Sequence, residues 1–506
     1  MNEFKAGVCI NYISIVIRLS TSFFMTPFVI EKLGMDEYGL FMLSNVIISW
    51  LTLTDFGLAP CIGKYVSTYQ AKQELDKQAH FLGQCCLLFL LLGFITLIAG
   101  LVCYCYLDAI FPKLTPDQLD TLEVLYLLTL SNLALSFPLR PLTSIAGAYL
   151  KFTIPGIVNL ATSILNAGLT ILLLYLGYKA IALTVLSVSL AVAGMIWGVY
   201  YSVKILGARL RFSKPDIPLY KEMFGFSFWV FLNQIMDLFY WKAGTPIVTS
   251  LAGASAATIF TLGVSFSYNF ITASTSISCV FAPKIMHMVA LGSTPHQLTE
   301  LMIKVGRMQL AVLSIILLGF ITFGQSFLTL WVGDTVGSDV STVYIGALCV
   351  LIPLVIPLTQ NTGLAILQAL SIHKGRAIIL FYTSITGVII GYILTSFWGP
   401  LGMFIGTAIS LFIGQNFLIN RYYAKRAKLE IASYFRQTYF PITPIALVAL
   451  LLGYATMSML DLTSWLHFII AAVIYGSLLA LAIFFFYLNK EEKDHFLAPI
   501  RKIIRI

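Results

Sequence analysis

The sequence predicts an all-α polytopic membrane protein of about fourteen transmembrane helices. They are expected in two six-helix lobes related by a pseudo-twofold axis along the membrane normal, with two further helices appended at the C-terminal end. Three observations carry this expectation. Apolar runs of roughly 20 residues, long enough to cross a hydrocarbon core about 30 Å thick, recur along the whole 506-residue chain. The residues are 59% hydrophobic and only 10% charged, with a mean hydropathy of +0.90, too little charge to cover a soluble protein of this size. Finally, short motifs in the first half recur in the second at a nearly constant offset.

The spans run over roughly 9–31, 38–62, 81–107, 121–150, 153–176, 180–203, 223–249, 255–282, 304–331, 341–370, 377–397, 400–420, 440–460 and 464–488. Span 1 is too long for a signal-peptide core and lacks a small-residue cleavage site, so a retained helix is expected. Spans 4 and 10 are long and hold Pro138, Pro141, Pro353 and Pro357, so each is expected to bend.

Charge fixes the orientation. Of the 31 Lys and Arg, three (Lys32, Lys113, Lys179) fall in external loops and three (Arg18, Arg140, Lys242) lie deep within spans. With both termini cytoplasmic, the remaining 25 lie on the cytoplasmic side. The net charge of +9 therefore reports topology and attraction to anionic lipid heads, and implies no nucleic-acid partner. All eight cysteines fall inside spans. Cys103 and Cys105 stand as a CxC pair with no second pair or His at metal-ligand spacing, so small apolar fillers are expected rather than a metal site.

The repeat is read from four pairs. Thr26-Pro27 matches Thr245-Pro246, and Pro138-Leu139 matches Pro357-Leu358, both 219 residues on. Gly177 matches Gly399, and Tyr200-Tyr201 matches Tyr422-Tyr423, both 222 on. Each unit holds six spans, so both enter from the same side, and such copies face each other across a cavity that rocks between inward and outward access. The expected divisions are residues 1–205 and 223–426 as lobes, 206–222 as a basic cytoplasmic linker, 427–488 as helices 13 and 14, and 489–506 as a basic tail.

Five ionisable residues are hard to place outside the membrane: Arg18, Asp55, Arg140, Asp237 and Lys242. A charge at the centre of a membrane helix costs at least about 2.5–3.5 kcal/mol on insertion scales, so such groups face protein or water. Arg18 sits roughly 15 Å deep at 1.5 Å per residue, in a stripe with Asn11, Ser14 and Ser22. Two readings stand for it, a cavity cation and a partner of Asp237 that locks helices together. Asn233, Gln234, Asp237, Trp241 and Lys242 make a second polar patch on span 7, and at the repeat offset Asp237 occupies the position of Arg18. Lys242 either faces the cavity or snorkels outward. Arg140, between two prolines in SFPLRPL, can satisfy freed backbone carbonyls or face the cavity. For Asp55, in TDFGLAP, helix bending or capping stands beside cation coupling.

The segment KLGMDEYGLFMLSNVI (Lys32 to Ile47), followed by TDFGLAPCIGKYVS (Thr54 to Ser67), resembles the opening of polysaccharide exporters of the multidrug/oligosaccharidyl-lipid/polysaccharide superfamily. NYISIVIRLSTSFFMTPFVI (Asn11 to Ile30) is similar to that family's first span, with its intramembrane arginine at Arg18. The resemblance extends over essentially the whole chain. It implies a flippase of the bacterial plasma membrane that translocates a polyprenyl-pyrophosphate-linked oligosaccharide for O-antigen, capsule or related glycan synthesis. Glycan polymerase and glycosyltransferases are its implied partners. Arg18, Arg140, Lys242, Asn233, Gln234 and Trp241 become expected substrate contacts, because guanidinium and ammonium groups replace the hydration of a pyrophosphate. Asp55 and Asp237 become coupling or lobe-pairing residues. No cofactor is implied, and coupling to Na⁺ or H⁺ is open. Trp241-Lys242 departs from the Asp-Arg type pair often found near the outer end of span 7 in the family.

A multidrug or cation antiporter of the same superfamily is the nearest rival, but it would favour acidic cavity residues. A membrane glycosyltransferase or polymerase would need a larger external loop than Asp108 to Asp120. A scramblase without glycan specificity is separable only by transport assays. The topology is checked by labelling. Cysteines placed beside Lys113 and Asp334 are expected to react with an impermeant reagent from outside, and one beside Arg211 only after permeabilisation; external reaction at Arg211 would contradict the assignment.

Overall fold

The computed structural model describes residues 17, 20, 21, 23–149, 151, 153–460 and 462–494. Among them every regular element is helical, and by length and composition nine helices can cross a membrane, or eleven if each of two bent pairs counts as one crossing. Fourteen stays the expectation of the sequence. The chain forms two compact units, Met1–Thr258 and Ile259–Ile506.

In the first unit, residues 23–33 are helical and Gly34 turns the chain at φ +81 into α1, Met35–Leu51. A 3₁₀ turn, Thr52–Asp55, leads to a break, and α2 (Ala59–Ala71) resumes at an angle of 47°. The break is made by two consecutive left-handed residues, Phe56 at φ +50 and Gly57 at φ +70. A Cβ at Gly57 would stand 2.7 Å from the backbone nitrogen of Phe231, so glycine is required there twice over. The unit continues through α3 (Leu75–Tyr104), α4 (Pro116–Thr143), α5 (Thr153–Tyr175), α6 (Ala180–Tyr200), α7 (Ile217–Trp241) and α8 (Gly244–Ala252). Thr115 and Gln118 cap α4 reciprocally, with Pro116 in the first turn, where its missing N–H costs nothing. Leu58, Ile62, Phe81, Phe89, Phe137 and Met223 form the core between these helices. The basic segment before α7 is docked on α3: buried Gln84 donates to Ser213 Oγ at 2.7 Å and accepts from Asp216 N–H at 3.0 Å, and Arg211 N–H donates to the Ala79 carbonyl at 3.0 Å.

The unit boundary falls in the first turns of α9 (Ala254–Ser278). The second unit then comprises α10 (Ala282–Ala290), the 42-residue α11 (Pro295–Val336), α12 (Val340–Thr359), α13 (Asn361–Ala369), α14 (Lys374–Trp398), α15 (Pro400–Ser410), α16 (Ile419–Arg426), α17 (Ile431–Thr438), α18 (Thr443–Met459) and α19 (Trp465–Ala482). The helices α4 and α12 run on through their prolines, and two broken spans, bent by 47° and 41°, fall at α1–α2 and α17–α18. Asn416 supplies part of the reason. Pro357 frees the carbonyl of Pro353, and Asn416 Nδ2 donates to it at 3.0 Å.

The last two long helices are tied to the second unit by Arg307 of α11. Its Nε donates to Glu492 at 2.8 Å, Nη1 to the Gln437 carbonyl at 2.8 Å and Nη2 to the Tyr487 carbonyl, while the guanidinium lies 4.3 Å from the Tyr487 ring centre. Two helical segments thus end on one buried cation, the charge their terminal carbonyls favour.

A glycine seam joins α14 to α15. Gly406 of α15 meets Gly387 and Gly391 of α14, and Gly402 packs on the Leu394–Thr395 backbone, small residues four apart that let the backbones touch. A Cβ at Gly406 would lie 2.4 Å from Gly391 Cα. Gly406→Ala is therefore expected to destabilise by about 1–3 kcal/mol through overpacking, against a gain of about 0.5–1 kcal/mol from helix propensity. At Gly476, where an added Cβ meets nothing within 4 Å, Gly476→Ala is expected to be neutral or stabilising. Thermal denaturation of the purified variants checks the contrast.

Candidate functional site

Two sequence-predicted residues meet inside the first unit. The α1–α2 break presents Asp55, whose Oδ1 accepts from Gly57 N–H at 2.8 Å, so it caps the turn that exposes it. Its Oδ2 takes Arg140 Nη1 at 2.9 Å. Arg140 stands between Pro138 and Pro141 on α4 and stacks its guanidinium 4.6 Å from the Phe137 ring centre. The Asp55 side chain is 5% exposed and that of Arg140 26%, so the pair is nearly desolvated on the acid side and open on the base side. The side chain of Thr143, one turn beyond Arg140, returns a hydrogen bond to the Arg140 carbonyl at 3.2 Å.

The break also seats α7. Phe56 packs on Phe231 and Phe224 with ring centres 5.3 and 5.8 Å apart. Further along α7, Asn233 donates to the Trp229 carbonyl at 2.7 Å, and Gln234 Oε1 is buried with no hydrogen-bond partner among the described residues. Asn233, Asp237 and Trp241 follow at every fourth position on one helix face; Asn233 and Asp237 are exposed and Trp241 is half-buried. Lys242 caps the C-terminal end of α7, half-buried, its N–H donating to the Leu238 carbonyl at 2.8 Å. Asn11, Ser14, Arg18 and Ser22 lie outside the described residues, and with them the pairing expected between Arg18 and Asp237.

The structure adds a site that charge-based reading of the sequence passes over. A cavity of about 710 Å³ opens between α5, α6 and the end of α4. Asn159, Thr162, Ser163 and Asn166 line it from α5, at i, i+3, i+4 and i+7 of one helix face. Asn166 donates to Ser187 Oγ of α6 at 3.2 Å, and Trp197 and Gly194 of α6 complete that wall. Thr143 lines it too, which places the cavity one turn from the Asp55–Arg140 pair. The opposite face of α5 shows exposed Ile154, Ile157, Leu165 and Leu172, the side turned to lipid. A second cavity of about 210 Å³ shares Thr21, Ser163, Asn166 and Ser187 and continues to Thr26 and Tyr38, so the polar track is longer than either volume. Among the described lining residues of both cavities none is charged. The spacing of Asn159, Thr162, Ser163 and Asn166 was the available signal.

The family described as "Polysaccharide biosynthesis protein" matches residues 4–287, more than half of the chain. The chain belongs to this family. It is 21% identical over 515 residues to the "Uncharacterized membrane protein EpsK" of Bacillus subtilis (strain 168), an alignment covering 99% of this chain and 98% of that one. Among solved structures it is similar to "Lipid II flippase MurJ, inward closed conformation", with a TM-score of 0.72 and 16% identity over 98% of this chain and 99% of the other. It is also similar to the inward-facing conformation of a multidrug resistance MATE family transporter of the MOP superfamily, with a TM-score of 0.60 and 14% identity, covering 83% of this chain and 99% of that one. The family member described here thus has the fold of MOP-superfamily transporters, and it is a multi-pass membrane protein.

Removing one partner of a buried ion pair costs about 3–5 kcal/mol in general. Arg140→Gln is expected at the lower end, because Gly57 N–H still stabilises the Asp55 carboxylate. Asp55→Asn should be milder still, and the double variant should recover part of the loss. Thermal denaturation of the four proteins as a double-mutant cycle measures the coupling; strictly additive effects would mean that the pair does not act as a unit.

Proposed function

We propose that this chain is a flippase that carries a polyprenyl-pyrophosphate-linked oligosaccharide unit across the bacterial plasma membrane by alternating access, for cell-surface polysaccharide synthesis. The observation that carries this reading is the polar cavity held between membrane helices of the first unit. Exposed amide and hydroxyl side chains at that depth need water or a polar ligand beside them, since hydrocarbon supplies no hydrogen-bond partner. Membership of a polysaccharide biosynthesis family supports a glycan as the cargo, and the shared fold supports transport.

In this reading Arg18 and Lys242 serve the anionic pyrophosphate, with Arg140 as a further contact through its open edge. Asn233, Gln234 and Trp241 add polar and aromatic contacts along α7. Asp55 and Asp237 hold cations in place or couple movement to Na⁺ or H⁺. Both termini face the cytoplasm, where glycosyltransferases assemble the cargo, and a glycan polymerase receives it on the other side.

Deletion of the gene is expected to abolish one surface polysaccharide while its lipid-linked unit accumulates in the cytoplasmic leaflet. Arg18→Ala should lower export about tenfold or more at unchanged membrane abundance, because hydrogen bonds to charged groups are worth roughly 1.5–3 kcal/mol. Arg18→Lys should recover only part, lacking the planar fork. A deletion strain with normal surface glycan and no accumulated intermediate would refute the flippase reading.

A further inference from the structure

We propose that the α5–α6 cavity is a saccharide subsite that takes uncharged sugar rings of the cargo, while the pyrophosphate is held elsewhere; the assignment rests on the flippase reading above. Four features of the wall lead to it. The first is its hydrogen-bonding character. Thr162 and Ser163 send their hydroxyl protons back to the Asn159 carbonyl, at 3.0 and 2.8 Å. Their oxygen lone pairs are thereby left to accept, while the carboxamides of Asn159 and Asn166 both donate and accept. Sugar hydroxyls do the same, so ligand and wall are complementary group by group.

The second is the absence of charge among the described lining residues. An anion placed there would meet no counter-charge from the described lining residues, and an unpaired buried charge is far more costly than a buried hydroxyl with hydrogen bonds. The site thus selects the neutral part of the cargo. The third is Trp197, 39% exposed on the α6 wall, which offers an apolar ring face to the C–H face of a pyranose beside polar groups for its rim. The fourth is space. The cavity lies within the roughly 300–1,000 Å³ typical of small-molecule sites. At Gly194, in its wall, an added Cβ meets nothing within 4 Å, so the room belongs to the cavity and not to a neighbouring side chain. A lipid acyl chain would fit such a wall poorly, because it would strand several polar groups.

Two measurements test the assignment on the full-length protein. Ser163→Cys, held in amphipol, is treated with a charged, water-soluble methanethiosulfonate and read at the residue-163 peptide by mass spectrometry, which separates it from the native cysteines. It is expected to react, and dodecyl maltoside is expected to slow the reaction at least fivefold, while dodecyl phosphate, which has the same tail and no sugar, leaves it unchanged. No reaction, or equal protection by both amphiphiles, would overturn the proposal. In cells, Gly194→Phe fills the cavity and is expected to cut glycan export at least tenfold. Gly168→Phe, on α5 outside both cavity linings and with equally free space, should export normally at equal membrane abundance. Normal export by Gly194→Phe would also overturn the subsite. The flippase reading fails separately, through an unaltered deletion strain, and that result leaves the labelling contrast intact.

Discussion

Hydrocarbon offers no partner to a polar group, and the placement of polar residues in this chain follows from that constraint. Asp55 and Arg140 neutralise each other at 2.9 Å, and the acid also caps the turn that exposes it. Asn416 closes the carbonyl that Pro357 leaves open, which lets α12 continue where the proline alone would have broken it. At Arg307 one guanidinium serves two helix ends and a carboxylate. Between α14 and α15, where Ser410 Oγ donates to the Thr383 carbonyl at 2.7 Å, glycines bring the helices together by removing the side chains that would hold them apart.

The same constraint gives the α5–α6 cavity its meaning. A polar stripe that protein does not cover is stable only beside water or a ligand, and the opposite face of α5 is as apolar as lipid requires. One helix therefore separates two solvents. On that side the helices leave open a volume of about 710 Å³. Rigidity comes instead from the other side of the unit, where Phe81, Phe89, Phe137 and Met223 make a continuous core around the α1–α2 break.

Much of this was legible from residue types alone. Apolar runs and Lys/Arg bias announced the membrane helices, and the KLGMDEYG turn at Lys32–Gly39 pointed to the family later matched over residues 4–287. Asp55 and Arg140 were both singled out, but their union was not, because they lie 85 positions apart and only the packing of α1 against α4 joins them. The prolines lie inside continuous helices, and the breaks at Asp55–Gly57 and between α17 and α18 were not foreseen; the first follows from two consecutive left-handed residues, which cannot stay helical. The cavity escaped because its residues carry no charge. Asn, Ser and Thr on a membrane helix read equally well as helix–helix glue. Arg307 escaped because a cation at a span end expected to be cytoplasmic satisfies the orientation rule without further cause.

At the offset of 219 positions expected for the repeat, Asp55 falls on Ser274 and Arg140 on Thr359. Ser274 Oγ donates to the Leu358 carbonyl at 2.9 Å and receives Gln309 Nε2 at 2.8 Å, so the corresponding place in the second unit is bridged by neutral hydrogen bonds. The two bridges do the same mechanical work, each linking a helix to the proline-bearing one beside it. They differ in what they can respond to. A hydroxyl–amide network has a single protonation state over the physiological range, whereas a carboxylate–guanidinium pair responds to a proton, a metal cation or an anionic ligand that competes for either member. The retained charge pair is one turn from the cavity wall at Thr143. Electrostatic sensitivity and space for a ligand therefore adjoin each other in the first unit, whereas in the second the Ser274 bridge is neutral and a buried ion pair stands at Arg307–Glu492 instead.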